Sequence, residues 1–217
     1  MNSDFELFLQ GVEALNIALS DHQKGQFKAY MGEVALFNKR LKLVAAEGRD
    51  FVIKHLLDAL TPLEFFKAIT SEKGKALKFC DAGSGAGLPG IPLAIVLDEL
   101  HFSLIERSGR RAGFLRNAVT MTQLTPRVEV LEQDIAEVQE GFDCITFRAF
   151  LPLKRVIEPL GKILNKGGVI GAYKGRMATL EAEINALGQG WESQIYPLSV
   201  PFLTDERSFC LLKRRGE

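Results

Sequence analysis

Apolar positions follow two rhythms along this chain. Over the first seventy residues they recur at helical spacing, as Phe5, Phe8, Leu9, Val12 and Leu15, then as Phe27, Tyr30, Met31, Val34 and Leu41. Side chains three and four apart share one face of a helix, so each set predicts an amphipathic helix. A third helix, from about Arg49 to Leu60, is expected to stop before Thr61-Pro62, because proline steers the residue ahead of it out of helical conformation. From about Leu77 short apolar runs take over: Ala76 to Cys80, Phe102 to Ile105, Val128 to Leu131, Cys144 to Phe147, Val169 to Tyr173, and Ser208 to Leu212. Helical patterns separate most of them, over Ile91 to Leu97, Arg110 to Thr122, Leu153 to Leu164 and Ala178 to Leu187. Alternation of this kind implies βαβ units and a mostly parallel sheet. The runs near Trp191 to Pro197 and Ser208 to Leu212 have no helix between them. They are expected to pair antiparallel at the sheet edge, turning around Thr204-Asp205-Glu206.

The expected architecture is therefore α/β. A helical extension, residues 1–70, packs on a core domain, residues 71–217, with a mostly parallel seven-stranded sheet ending in an antiparallel edge hairpin. A chain of 217 residues is long enough for one such domain with its own core plus a modest extension. No apolar run is long enough to span a bilayer, and Met1-Asn2-Ser3-Asp4 lacks the basic start and apolar stretch of a signal peptide. The expectation is a cytoplasmic protein. Cys80, Cys144 and Cys210 show no paired spacing and lie in or beside predicted strands, as buried free thiols do. Formal net charge is zero, which argues against coating nucleic acid through overall charge. Local basic clusters remain, notably Lys39-Arg40-x-Lys42, Arg107 with Arg110, Arg111 and Arg116, Lys174-x-Arg176, and Lys213-Arg214-Arg215.

Asp81-Ala82-Gly83-Ser84-Gly85-Ala86-Gly87-Leu88-Pro89-Gly90 follows the first predicted strand and precedes a helix. Open α/β sheets bind ligands at the carboxyl ends of their strands, and a tight turn there needs residues without a Cβ. Gly85-x-Gly87-x-x-Gly90 also satisfies the dinucleotide fingerprint, a weak match by itself. Two features favour S-adenosylmethionine over a nicotinamide cofactor. Asp81, two residues before Gly83, can hold a cationic amino-acid group, directly or through water, and would repel a pyrophosphate. Pro89 and Pro92 stand at the helix start, and Pro92 suits a first turn where no amide donor is needed. Glu106 ends the second predicted strand, where an acid bonds ribose hydroxyls; a surface pairing with Arg107 or Arg110 is the alternative. Gln133-Asp134-Ile135-Ala136-Glu137, after the third strand, is placed to flank an adenine.

These residues bring a family into view. The chain resembles the RsmG/GidB family of bacterial 16S rRNA guanine-N7 methyltransferases over nearly its whole length, from Phe37-Asn38-Lys39 through His55-Leu56-Leu57-Asp58-Ala59-Leu60 to Asp205-Glu206-Arg207. The sharpest motif is Gly83 to Leu93, followed by Arg110-Arg111-x-x-Phe114-Leu115, Phe147-Arg148-Ala149 and Tyr173-Lys174-Gly175. The resemblance implies a Rossmann-like S-adenosylmethionine-dependent methyltransferase fold, with cofactor contacts at Gly83, Leu88, the Ile135-Ala136 pair and Arg148, and by position also Asp81, Gly85 and Glu106. It implies 16S rRNA or the small ribosomal subunit as partner and the 530 loop as target; a monomer is the expectation for the chain itself. Two positions depart from the family pattern. Asp134-Ile135-Ala136 stands where Arg-Ala-Glu is common, so only backbone contacts transfer there. Ser208 stands where a histidine is usual.

The residues also bear on the methyl acceptor. The chain has Thr146-Phe147-Arg148-Ala149 where enzymes methylating exocyclic amines carry an Asn/Asp-Pro-Pro-aromatic motif. Cys144, near the start of its strand, is badly placed as a nucleophile for pyrimidine C5. Guanine N7 carries an in-plane lone pair and no proton, so it can attack a methyl carbon with no general base. A site lacking an obvious base suits it. Arg148 is expected to position either the cofactor carboxylate or the target nucleotide, with a strand-end salt bridge to a carboxylate such as Asp81 as the alternative. Arg110, Arg111, Lys174 and Arg207 are the expected RNA contacts. His55 and Asp58, one turn apart, either face the site or pack a helix, and Tyr173 either stacks on a base or closes the core edge.

Overall fold

The structure, a computed structural model, describes residues 2–73, 77–148 and 152–216. The sequence-predicted strand start at Ala76 and the motif residue Ala149 lie outside them. Seven strands form one sheet in the order β3-β2-β1-β4-β5-β7-β6. They are β1 (Lys78–Ala82), β2 (His101–Ile105), β3 (Val128–Leu131), β4 (Phe142–Arg148), β5 (Leu164–Lys174), β6 (Trp191–Leu198) and β7 (Arg207–Arg214). The first five are parallel. β7 inserts antiparallel between β5 and β6. The edge pair is thus as expected, but its connection turns earlier than Thr204. Leu203 N–H donates to Val200 C=O at 3.1 Å, around Phe202 in left-handed conformation.

Side chains alternate across the sheet, as the pleat requires. In β1, Phe79 enters the core on one face while Cys80 and Ala82 enter the core on the other. α6 (Gly90–Val96) and α7 (Gly109–Met121) cover the first face; α8 (Leu153–Ile163) and α9 (Met177–Asn185) cover the second. All three cysteines are buried and none forms a disulfide.

The amino-terminal segment packs on the first face. It comprises α1 (Asn2–Ala14), α2 (Asp21–Leu41), a helical run over residues 48–60, and α5 (Leu63–Lys73). Ser20 and Gln23 form a reciprocal capping box that starts α2. Phe8, Phe27, Tyr30 and Phe66 are fully buried against the sheet domain. Polar side chains then fix the docking. Gln26 donates to Thr122 C=O at 2.7 Å, Tyr30 to Ala86 C=O at 2.7 Å and Tyr173 to Ala59 C=O at 2.7 Å. Tyr173 is therefore a core-edge residue, packed on Phe66 and Phe209. Buried hydroxyls need such partners, and these pins cross from one segment to the other.

The third predicted helix is not uniform. It opens as α3 (Gly48–Phe51), widens into a π-helical turn over Val52–Leu57, and closes as α4 (Asp58–Leu60). Wide turns of this kind cluster at functional sites. This one carries His55 toward the carboxyl end of β4.

Candidate active site

The glycine loop sits where β1 ends. Gly83 and Ser84 N–H groups both donate to Ile105 C=O, at 2.9 and 3.0 Å, tying the loop to the end of β2. Gly83 adopts φ +70°, a conformation costly to any residue with a Cβ. Gly90 is required for a different reason. A Cβ there would stand 2.5 Å from Leu104 Cδ2 and 2.7 Å from Asp81 Oδ2.

Asp81 lies beneath this loop, fully buried. Its Oδ2 accepts Gly90 N–H at 2.9 Å, which anchors the start of α6. Its Oδ1 is buried without a hydrogen-bond partner. Burial pushes its carboxyl up to about 7. An orphaned acidic oxygen is expensive unless something cationic or hydrogen-bonding reaches it. Arg148 does not pair with Asp81; its strand-end salt bridge is made to Asp58 instead, at 2.9 Å.

Glu106 stands at the end of β2. Its Oε2 accepts Gly85 N–H at 3.0 Å and its Oε1 accepts Ser108 N–H at 2.8 Å. Each oxygen keeps a second acceptor site, enough for the two hydroxyls of a ribose. The alternative pairing fails here, since Arg107 turns to Asp134 at 3.5 Å. Asp134 caps a 3-10 turn over Ile135–Glu137, its side chain accepting Ala136 N–H at 3.1 Å.

These elements enclose a cavity of about 400 Å³, walled in part by Gly83, Glu106, Arg111, Ile135, Ala136 and Arg148. It is of the size that takes a small ligand. Gly85 reaches it only through its bond to Glu106. Leu88 packs in the core instead of on the wall, and Asp81 lies behind the loop. Arg111, expected on the RNA surface, lines this cavity, while Arg110 is exposed at the start of α7.

A second cavity of about 440 Å³ adjoins the first across Arg148. Arg148 ends β4 with its side chain 12% exposed. Its Nη1 donates to Asp58 Oδ2 at 2.9 Å and to Lys54 C=O at 3.1 Å, and its Nη2 lies 2.7 Å from His55 Nδ1. Asp58 Oδ1 meets Arg207 Nε at 3.5 Å. His55 and Asp58 therefore face the site, and their one-turn spacing serves this cluster and not mere helix packing. Burial pushes the Asp58 carboxyl up, against the pull of Arg148 and Arg207. Burial first, then Arg148, Arg207 and Lys54, lowers His55 to about 4.

Of the two remaining expected RNA contacts, Arg207 lines the second cavity beside Asp58, and Lys174 stands at its edge in an ion pair with Glu183 at 2.8 Å, over the Phe147 ring. Ser208 is buried and donates to Gly175 C=O at 2.9 Å, closing the turn after β5. Asp58 is visible in the sequence as a candidate, but its pairing with Arg148 is not. Only the helical spacing His55–Asp58 signalled the cluster, and nothing in the chain announced its partner ninety residues away.

A mostly parallel seven-stranded sheet with β7 reversed, and a glycine loop and an acid at the ends of β1 and β2, define a Rossmann-like methyltransferase fold. Solved structures agree. The magnesium protoporphyrin IX methyltransferase of Synechocystis PCC 6803 superposes with a TM-score of 0.60 at 14% identity, covering 90% of this chain and 99% of that one. An O-methyltransferase from Bacillus cereus gives 0.60 at 18%, covering 94% and 96%. The family model for rRNA small subunit methyltransferase G (GidB) matches residues 23–210. The chain belongs to this family. It is 33% identical over 218 residues to ribosomal RNA small subunit methyltransferase G of Borrelia turicatae (strain 91E135), covering 98% of this chain and 99% of the relative. The same protein of Treponema pallidum (strain Nichols) is 38% identical over 188 residues, covering 83% and 80%.

Proposed function

We propose that this chain transfers the methyl group of S-adenosylmethionine to N7 of a guanine in the 530 loop of 16S rRNA. The observation that carries the cofactor half is the first cavity. Glu106 offers two acceptor sites to a ribose, and Gly83 lets the backbone approach. The Ile135-Ala136 turn provides an apolar wall and an amide for adenine. Asp81 Oδ1 is a buried acceptor without a partner, but it lies behind the loop and off the cavity wall, so it would act on an ammonium group only through a bound water or through its field. The residues present therefore fit the cofactor, which when bound supplies an electrophilic methyl carbon on a sulfonium. The 1–70 segment is a helical extension that completes the site through His55 and Asp58. No helix among the described residues is long and apolar enough to cross a membrane, and we read the protein as a cytoplasmic monomer acting on the small subunit or its RNA.

The acceptor half rests on protonation. His55, neutral near pH 7, is engaged by Arg148 through the nitrogen a base would use, and Asp58 is held by two arginines. Neither is free to take a proton. N7 needs no deprotonation, so alignment and electrostatics carry the rate. At saturating substrates the rate should stay flat from about pH 7 to 9, whereas a required base titrating there would make it climb about tenfold per unit. The direct test is nucleoside mass spectrometry of small-subunit rRNA treated with this protein. The new methylated nucleoside should be destroyed by mild alkali and borohydride treatment, which opens the imidazole ring of 7-methylguanosine while leaving its N-methyl bond intact. A methylated nucleoside that survives unaltered would refute N7.

Two variants probe the assigned contacts. Glu106→Gln should weaken cofactor binding by about 1–3 kcal/mol in calorimetry, since it trades charged acceptors for neutral ones. The amide also sets its NH₂ against the N–H of Gly85 or Ser108. Arg110→Gln should lower the salt slope of RNA binding by about 1 and leave cofactor affinity unchanged. The structure separates it from Arg111, whose replacement should weaken cofactor binding as well. An unchanged slope would return Arg110 to a merely solvated face.

A further inference from the structure

We infer that the second cavity receives the guanine base of the acceptor nucleotide, and that His55 reads its O6 through an Nε2–H donor. The inference rests on the reading of this chain as a guanine methyltransferase and assigns the base-recognition site within it.

The cavity walled by Gly83, Glu106 and Ile135 is matched to the cofactor, so the acceptor must approach from its other side. Arg148 is common to both cavities. The second cavity opens between the helical extension and the ends of β4, β5 and β7, and its wall includes Lys54, His55, Asp58, Tyr173 and Arg207.

A guanidinium has five N–H donors and no acceptor. With Arg148 Nη2 at 2.7 Å, His55 Nδ1 must be the unprotonated, accepting nitrogen. The neutral ring then carries its proton on Nε2, and that edge is a donor. The charged groups around it are Arg148, Arg207 and Lys54 on one side of the balance, and Asp50 and Asp58 on the other. Asp50 is engaged by Lys54 at 2.8 Å and Asp58 by the two arginines. Both carboxylates already answer cations, so neither needs the ring's Nε2–H, which is left as a donor for a ligand.

The N7/O6 edge of guanine presents acceptors only, whereas adenine places an amino donor at the corresponding position. A donor at O6 grips guanine without touching the N7 lone pair, and it opposes adenine donor against donor. Leaving such a buried donor unpaired is costly, which converts the contact into selectivity. His55 is then a specificity residue, held in its tautomer by Arg148 from β4 and placed by the π-helical turn.

The test is a cycle between enzyme and substrate. Small subunits are reconstituted with 16S rRNA carrying either guanosine or 2-aminopurine riboside at the methylated position; the latter keeps N7 and lacks O6. Wild type should lose about tenfold or more in kcat/KM on the 2-aminopurine RNA. His55→Asn, which keeps an oxygen for Arg148 but has no far donor, should lose about tenfold on guanosine and nothing further on 2-aminopurine. His55→Gln, whose amide reaches the Nε2 position, should recover most of the guanosine rate. Cofactor affinity should be unchanged in both variants, which a merely structural role for His55 would not leave intact. Losses that simply multiply, or a wild type indifferent to O6, would overturn the inference alone. A wild type that methylates neither RNA would overturn the methyltransferase reading together with it.

Discussion

Gly83→Val is expected to abolish useful cofactor binding, weakening it by roughly 2 kcal/mol or more, or at least about thirtyfold. Two causes act together. The residue sits at φ +70°, where an L-residue meets its own carbonyl and pays about 1–2 kcal/mol, more when β-branched. It also lines the first cavity, so a branched side chain would project where the backbone must approach the ligand. The loop is tied down by the Gly83 and Ser84 bonds to Ile105 C=O, so it cannot simply swing away. Calorimetry with S-adenosylhomocysteine, paired with a thermal melt, separates lost affinity from lost fold. A folded variant with wild-type affinity would mean the loop does not hold the cofactor.

Arg148→Met should be the most damaging single change to the site, costing about 3–5 kcal/mol of stability near pH 7. The variant strands Asp58, whose side chain is 6% exposed, with only the longer contact to Arg207 at 3.5 Å. It also removes the donor that fixes His55 and opens Lys54 C=O. The pH dependence follows from the sign of the change. Without Arg148 the folded-state value of Asp58 moves further above its unfolded value. The folded variant then binds a proton that the unfolded chain releases, so its stability falls as pH rises through that window. The deficit against wild type should therefore shrink on going from pH 7 to pH 5. Adding Asp58→Asn should recover part of the loss, because a neutral amide tolerates burial better than an unpaired carboxylate. Denaturant melts of the two single variants and the double variant read this directly. A double variant no better than Arg148→Met would show that the arginine matters through something other than Asp58.

The sheet domain was legible in the chain because its signals are local. Strand and helix periods, and the glycines between Asp81 and Gly90, act over a few neighbouring residues, and the structure places β1 to β7 where the apolar runs lie. Glu106 and the Ile135-Ala136 turn were legible for the same reason, since each directly follows a strand whose carboxyl end must face the ligand. Other features needed the third dimension. Asp81 reads as a ligand but lies under the loop, because β1 alternates and aims its odd-numbered side chains into the first core. Lys174 reads as an RNA contact, and only the fold shows that it stands at the wall of the second cavity while paired with Glu183. The long insertion of β7 beside β5, the π-helical turn, and the meeting of Asp58 with Arg148 and Arg207 depend on contacts between residues far apart in sequence. Pairings of that kind are selected by the burial and hydrogen bonding of whole elements, not by the residues adjoining them. The sequence by itself therefore determined the fold and the glycine loop, Glu106 and Ile135-Ala136 that wall the first cavity, our proposed cofactor site. The tertiary structure alone decided the second cavity, our proposed acceptor site, where an extension from the amino terminus closes on the ends of β4 and β7.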